Sequence, residues 1–102
     1  MTIQGFTKED KYEIKDMSLQ GYIPEMADST FFSACKECGA DPLTDAIEDF
    51  KGYKNEAVFT VDGVVFTIYD RHGLYRFGTN RTNRDKVGKA IETVLGLEVK
   101  YL

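Results

Sequence analysis

Asp62-Gly63 stands between two runs, 56–61 and 64–69, that are rich in β-branched and aromatic residues. A two-residue hairpin turn needs positive φ at both positions, and Asp followed by Gly tolerates that better than most pairs. Once the turn is placed, the strand register follows, because side chains alternate between faces. Ala57, Phe59 and Val61 then share one face with Val64, Phe66 and Ile68. Val58, Thr60, Val65 and Thr67 take the other face. A second turn, expected over Asp70-Arg71-His72-Gly73, leads into a third strand at 74–77. With four turn residues, Tyr75 and Phe77 join the core face and Arg76 points away, which leaves Tyr69 as the exposed aromatic.

Around this three-stranded antiparallel meander the periodicity is helical. Pro24 suits a first helical turn, and Ala27, Phe31, Ala34, Cys35 and Cys38 follow on one helix face up to Gly39. The alternative start is Asp28-Ser29. Asp41-Pro42 reads as a cap and first residue for a helix with Leu43, Ala46, Ile47 and Phe50 as its apolar stripe. Thr82 and Asp85 have capping-box spacing before a helix carrying Val87, Ala90, Ile91, Val94 and Leu95, with Gly96 as its stop. Residues 8–20 carry two conflicting signals. Thr7 and Asp10 suggest a capped helix, while Tyr12/Ile14 and Met17/Leu19 alternate like a strand; helix is the preferred reading. Leu97, Val99 and Tyr101 alternate in the tail and predict an added edge strand. The expectation is one small α+β domain over residues 1–102, with two to four helices on one face of the sheet.

Composition narrows the chemistry. Apolar residues at 42% and charged residues at 29% suit a globular chain rather than a disordered one. No run approaches a membrane span and the first residues lack signal-peptide character, so a cytoplasmic protein with no membrane association is expected. Cys35 and Cys38 are the only cysteines and His72 the only histidine. A closed zinc site needs four ligands, so Cys-x-x-Cys reads as two packed thiols, with a redox pair or a zinc completed by a second chain or by carboxylates as the alternatives. His72 lies in a turn, and Asp45, Glu48 and Asp49 fall off an apolar stripe, so neither makes a convincing acid–base centre. No phosphate loop, nucleophile elbow or metalloprotease motif is present. No enzyme, metal or cofactor is expected.

Charge divides the chain. Residues 1–70 hold fourteen acids and six bases, while residues 71–102 hold seven bases and three acids. Glu9, Asp10, Glu13, Asp16, Glu25 and Asp28 make the acidic half a candidate surface for a basic protein partner. The function expected is a non-catalytic binding protein, a small acidic regulator or inhibitor. Spaced carboxylates on a small protein can also mimic nucleic acid, as in inhibitors encoded by mobile elements. The alternative is a nucleic-acid or phosphate-ligand binder using Arg71, His72, Arg76, Arg81, Arg84, Lys86 and Lys89, with the helix near Thr82 offering its positive end.

Overall fold

A computed structural model describes residues 1–11, 17–47 and 53–102. Its centre is the meander set by two tight turns. Strands β4 (Tyr53–Val61) and β5 (Val64–Arg71) pair antiparallel with Val61 opposite Val64 and Phe59 opposite Phe66, the register that Asp62-Gly63 dictates. Both turn residues have positive φ, 49° and 80°. The second turn is shorter than expected. His72 and Gly73, at φ 56° and 79°, alone link β5 to β6 (Leu74–Thr79), because Arg71 and Leu74 still pair across the ladder. Shortening the loop from four residues to two keeps the face parity, so Tyr75 and Phe77 are buried on the core side as anticipated.

The sheet grows beyond the meander to seven strands among the described residues, in the order β1 (Ile3–Gly5), β4, β5, β6, β2 (Ser18–Tyr22), β7 (Lys100–Tyr101), with β3 (Leu43–Ile47) also on β4. β1 (Ile3–Gly5) pairs with the Phe59–Val61 end of β4. β3 (Leu43–Ile47) pairs antiparallel with the other end of the same strand. The helix expected after Asp41 is thus a strand. Asp41 does not cap: its carboxylate accepts the Lys8 backbone N–H at 2.9 Å, and its own N–H donates to the Phe6 carbonyl. The chain is thereby held extended beside an edge of β4 that has no other partner there among the described residues, and pairing overrides local helix preference. The acids Glu48 and Asp49 and the stripe residue Phe50 lie outside the described residues.

Helix is likewise replaced at the end of 8–20. Residues Ser18–Tyr22 form β2, which pairs with β6. The Thr7–Asp10 spacing makes a capped turn: the Asp10 carboxylate accepts the Thr7 N–H at 2.7 Å, and the Asp10 N–H donates to the Thr7 carbonyl. Gly21 is a strand residue that permits close approach, since a Cβ there would press on the Phe77 ring and the Lys100 carbonyl. Tyr12 and Ile14 lie outside the described residues.

Among the described residues two α-helices cover one face of the sheet. α1 (Asp28–Cys38) starts at the later of the two anticipated points and stops at Gly39, φ 78°, whose N–H bonds the Cys35 carbonyl. A 3-10 turn, Arg81–Asn83, leads into α2 (Arg84–Ala90), which continues as a π-helical turn, Ile91–Leu95, to Gly96. Thr82 is not the cap; the Asn80 carboxamide oxygen accepts the Asn83 N–H at 3.1 Å, and Asp85 instead meets Arg84. The π-turn rotates the end of the predicted stripe outward, so Val94 is exposed while Val87, Ala90 and Ile91 are buried. β7 (Lys100–Tyr101) pairs with β2 as the expected edge strand. Phe31, Cys35, Phe59, Phe66, Ile68, Phe77 and Ile91 form the core between helices and sheet.

Candidate functional site

Strand alternation puts Asp70 on the core face, two residues after Ile68 and directly opposite Tyr75. An acid at such a position is expensive unless it is paired or hydrogen-bonded. Asp70 is only 4% exposed, and its Oδ1 is buried with no hydrogen-bond partner. Next to it the Tyr75 ring stacks on Phe31 at 5.0 Å between centroids. The Tyr75 hydroxyl donates to Asp28 Oδ1 at 2.8 Å and accepts from Asn55 Nδ2 at 3.0 Å. Burial pushes the Tyr75 hydroxyl's ionisation well up, and the nearby Asp28 and Asp70 add to this. The strand end, the His72-Gly73 turn and the start of α1 thus enclose a concavity of ≈ 450 Å³. Met26 and Ala27 form an apolar part of its wall, while Asp28, Asp70, His72 and Tyr75 supply its polar groups. Among the described residues lining it there is no Lys or Arg.

The acidic residues expected to bind a partner divide into two groups. Glu25 is exposed in the turn before α1, and Asp28 is the first residue of that helix, on the rim of the concavity. Glu9 and Asp10 are exposed on the turn after β1, beside Asp41 and the far end of α1. Eleven residues of helix rise about 16 Å, so the two groups do not merge into one patch. Glu13 and Asp16 lie outside the described residues.

The basic residues divide further. Arg71 and Arg76 sit on the sheet face away from the helices, His72 in the second hairpin turn, and the rest near α2. Arg84 lies over the Tyr101 ring at 5.4 Å and bonds Asp85 at 3.1 Å. Lys86 approaches Asp62 at 3.9 Å. Arg81 and Lys89 are exposed. The anticipated single cluster therefore spans both ends and both sides of the sheet. Tyr69 is 9% exposed, which removes the expected exposed stacking ring: it sits between Glu56 and Arg76 in a cross-strand row.

That row makes a second concavity of ≈ 420 Å³ on the sheet face away from the helices. Arg76 lies over the Tyr22 ring at 5.1 Å, and its Nε is buried without a partner. Burial raises the pKa of Glu56 on the same row. Gly78 keeps the floor open, since a Cβ would come within 3.1 Å of Thr67 Oγ1.

Cys35 and Cys38 share the inner side of α1. Cys35 is 2% exposed, and its pKa is pushed up to about 12 by burial and then by Cys38. Cys38 is pushed up in the same way, by burial and then by Glu37. Burial therefore favours the protonated form of both thiols, and a thiol is a weaker nucleophile than a thiolate. Among the described residues no three His, Cys, Asp or Glu side chains are grouped to hold a metal ion. No described helix is long and apolar enough to cross a membrane. No family model, curated protein or solved structure matches this chain.

Sequence reading overlooked Asp70, Tyr75 and Asn55 as site residues. The signal was available for Asp70: the register that buries Ile68 also buries the carboxylate two positions on.

Proposed function

We propose that this is a non-catalytic binding protein, a small acidic regulator or inhibitor that docks on a basic macromolecular partner through the surface at the start of α1. The observation that carries the reading is the concavity that holds both Asp28, which accepts the Tyr75 hydroxyl, and the buried Asp70, with no Lys or Arg among its described lining. Glu25 stands exposed beside it and Glu9 and Asp10 extend the negative field toward the far end of α1. Such a field speeds encounter with a basic surface and rejects acidic ones. Nucleic-acid mimicry is a narrower form of the same proposal, in which the two acidic groups follow the phosphates of a bound strand.

Capture from extract of the native cell tests it. Wild type should retain a partner with and without nuclease. Glu9→Lys with Glu25→Lys should lose it, and Arg81→Glu with Lys89→Glu should keep it. The opposite pattern would reject the acidic surface.

A second reading rests on Arg76. Its unpaired buried Nε beside the ≈ 420 Å³ concavity is suited to an anionic ligand such as a phosphate or carboxylate. A melting-temperature rise with inorganic phosphate or a nucleotide, absent in Arg76→Gln, would favour it.

A further inference from the structure

The concavity at the start of α1 has a polar lining in which one buried carboxylate oxygen, Asp70 Oδ1, has no hydrogen-bond partner. Asn55 donates to Tyr75, and Tyr75 donates to Asp28. Asp70 Oδ1 receives nothing, and the residue is 4% exposed. A buried anion left in this condition is destabilising, and a cation brought to it recovers the lost pairing. We infer that the concavity is the socket for a primary ammonium group, supplied by a lysine side chain of the docking partner, that pairs with Asp70. This rests on the docking surface proposed above and names the partner chemistry at its centre.

The choice of ammonium follows from the geometry. A guanidinium is a planar fork that recognises two parallel acceptors, whereas an ammonium is a compact charge on a flexible stem. Asp70 offers one unpaired buried oxygen. The walls suit the stem: Met26 and Ala27 provide apolar surface in the same concavity as Asp70. Asp28 and Glu25 at or near the rim attract the same charge on approach. A metal ion is a poorer occupant, because the described residues hold no group of three metal-ligating side chains.

The test is an NMR titration of the full isotope-labelled chain with Nα-acetyl-lysine N-methylamide. Acetyl-norleucine, acetyl-arginine and putrescine are compared, together with calcium chloride. Lysine should give saturable amide shifts at Asp70, His72 and Gly73 with a Kd of roughly 1 mM, near the weak end of specific binding. Norleucine should give none, and Asp70→Asn should weaken lysine binding about tenfold or more. The Asp70 carboxyl carbon of wild type should move on the same isotherm, a readout independent of how the variant folds. Equal response to norleucine, an unmoved Asp70 carbon, or undiminished binding in Asp70→Asn would overturn the inference. Tighter arginine, putrescine or calcium binding would also overturn it, by replacing the occupant. If capture is lost in the Glu9/Glu25 reversal while lysine fails to bind, the docking surface stands and the socket falls. If lysine binds Asp70 while the reversal leaves capture intact, the socket is real but the surface is misassigned.

Discussion

Asp70 and Tyr75 face each other across one strand pair, yet they should respond to mutation in opposite ways. Tyr75 links Asn55 to Asp28, so Tyr75→Phe leaves a buried amide without its acceptor. The expected loss is about 1–3 kcal/mol in urea unfolding. Asp70 has an oxygen with no donor, so Asp70→Asn, which removes the charge at nearly constant volume, should leave the free protein unchanged or stabilise it by roughly 1 kcal/mol. A gain in stability with a loss of binding is the pattern expected where a site is held unsatisfied for a ligand. Destabilisation of the free protein by Asp70→Asn would mean that the carboxylate is already paired.

Cys35 makes a separate prediction at this scale. Its folded pKa, about 12, lies above the ordinary value of 9.0. The folded state therefore favours the protonated thiol, and the stability linked to it is complete below pH 9. It is lost as pH rises from about 9 toward 12, because the unfolded chain releases the proton first. Cys38 and Tyr75 are raised as well and act in the same direction. Urea midpoints measured across alkaline pH should fall, and Cys35→Ala should make the fall shallower. A steeper fall in that variant would show that Cys35 is not the shifted group.

At the scale of the element, the tight turns carry the most information. Gly63 at φ 80° has open space around it, so Gly63→Val tests backbone strain without a steric clash. It should cost about 1–3 kcal/mol. An unchanged denaturant midpoint would mean that the turn does not set the register. The same property explains what could be read from sequence. The β4–β5 pairing, the burial of Tyr75 and Phe77, the stop at Gly39 and the edge strand at the tail all rest on local rules. β2 and β3 rest on partners remote in sequence. Asp41 has cap character, but Lys8 takes its carboxylate from 33 positions away. Gly21 has stop character, but Phe77 and Lys100 use the space it leaves. The site divides similarly: Asp28 was legible as an exposed acid, whereas the hydrogen bonds joining it to Tyr75 and Asn55 arise only when α1 crosses the sheet end.

Across the whole molecule, the opposed charges of the two halves of the chain do not become two opposed faces. The basic residues scatter over both sides of the sheet, some meeting acids or rings of their own. Of the candidate docking acids, Glu25 and Asp28 lie at the start of α1 and Glu9 and Asp10 beside its far end. Long-range attraction for a basic partner should therefore depend on Glu9 and Glu25 more than on any arginine. Because exposed charges are screened over ~8 Å at physiological ionic strength, added salt should slow association more than it speeds release.

The most direct measurement of the docking claim is the association rate of the captured partner with immobilised protein, at low and physiological salt. Wild type should associate faster at low salt. Glu9→Lys with Glu25→Lys should associate about tenfold or more slowly at low salt and lose most of the salt dependence, as expected when electrostatic steering is removed. Arg81→Glu with Lys89→Glu should associate at least as fast as wild type. Slow association confined to the Arg81/Lys89 variant, with the Glu9/Glu25 variant matching wild type at both salts, would contradict docking through the acidic surface.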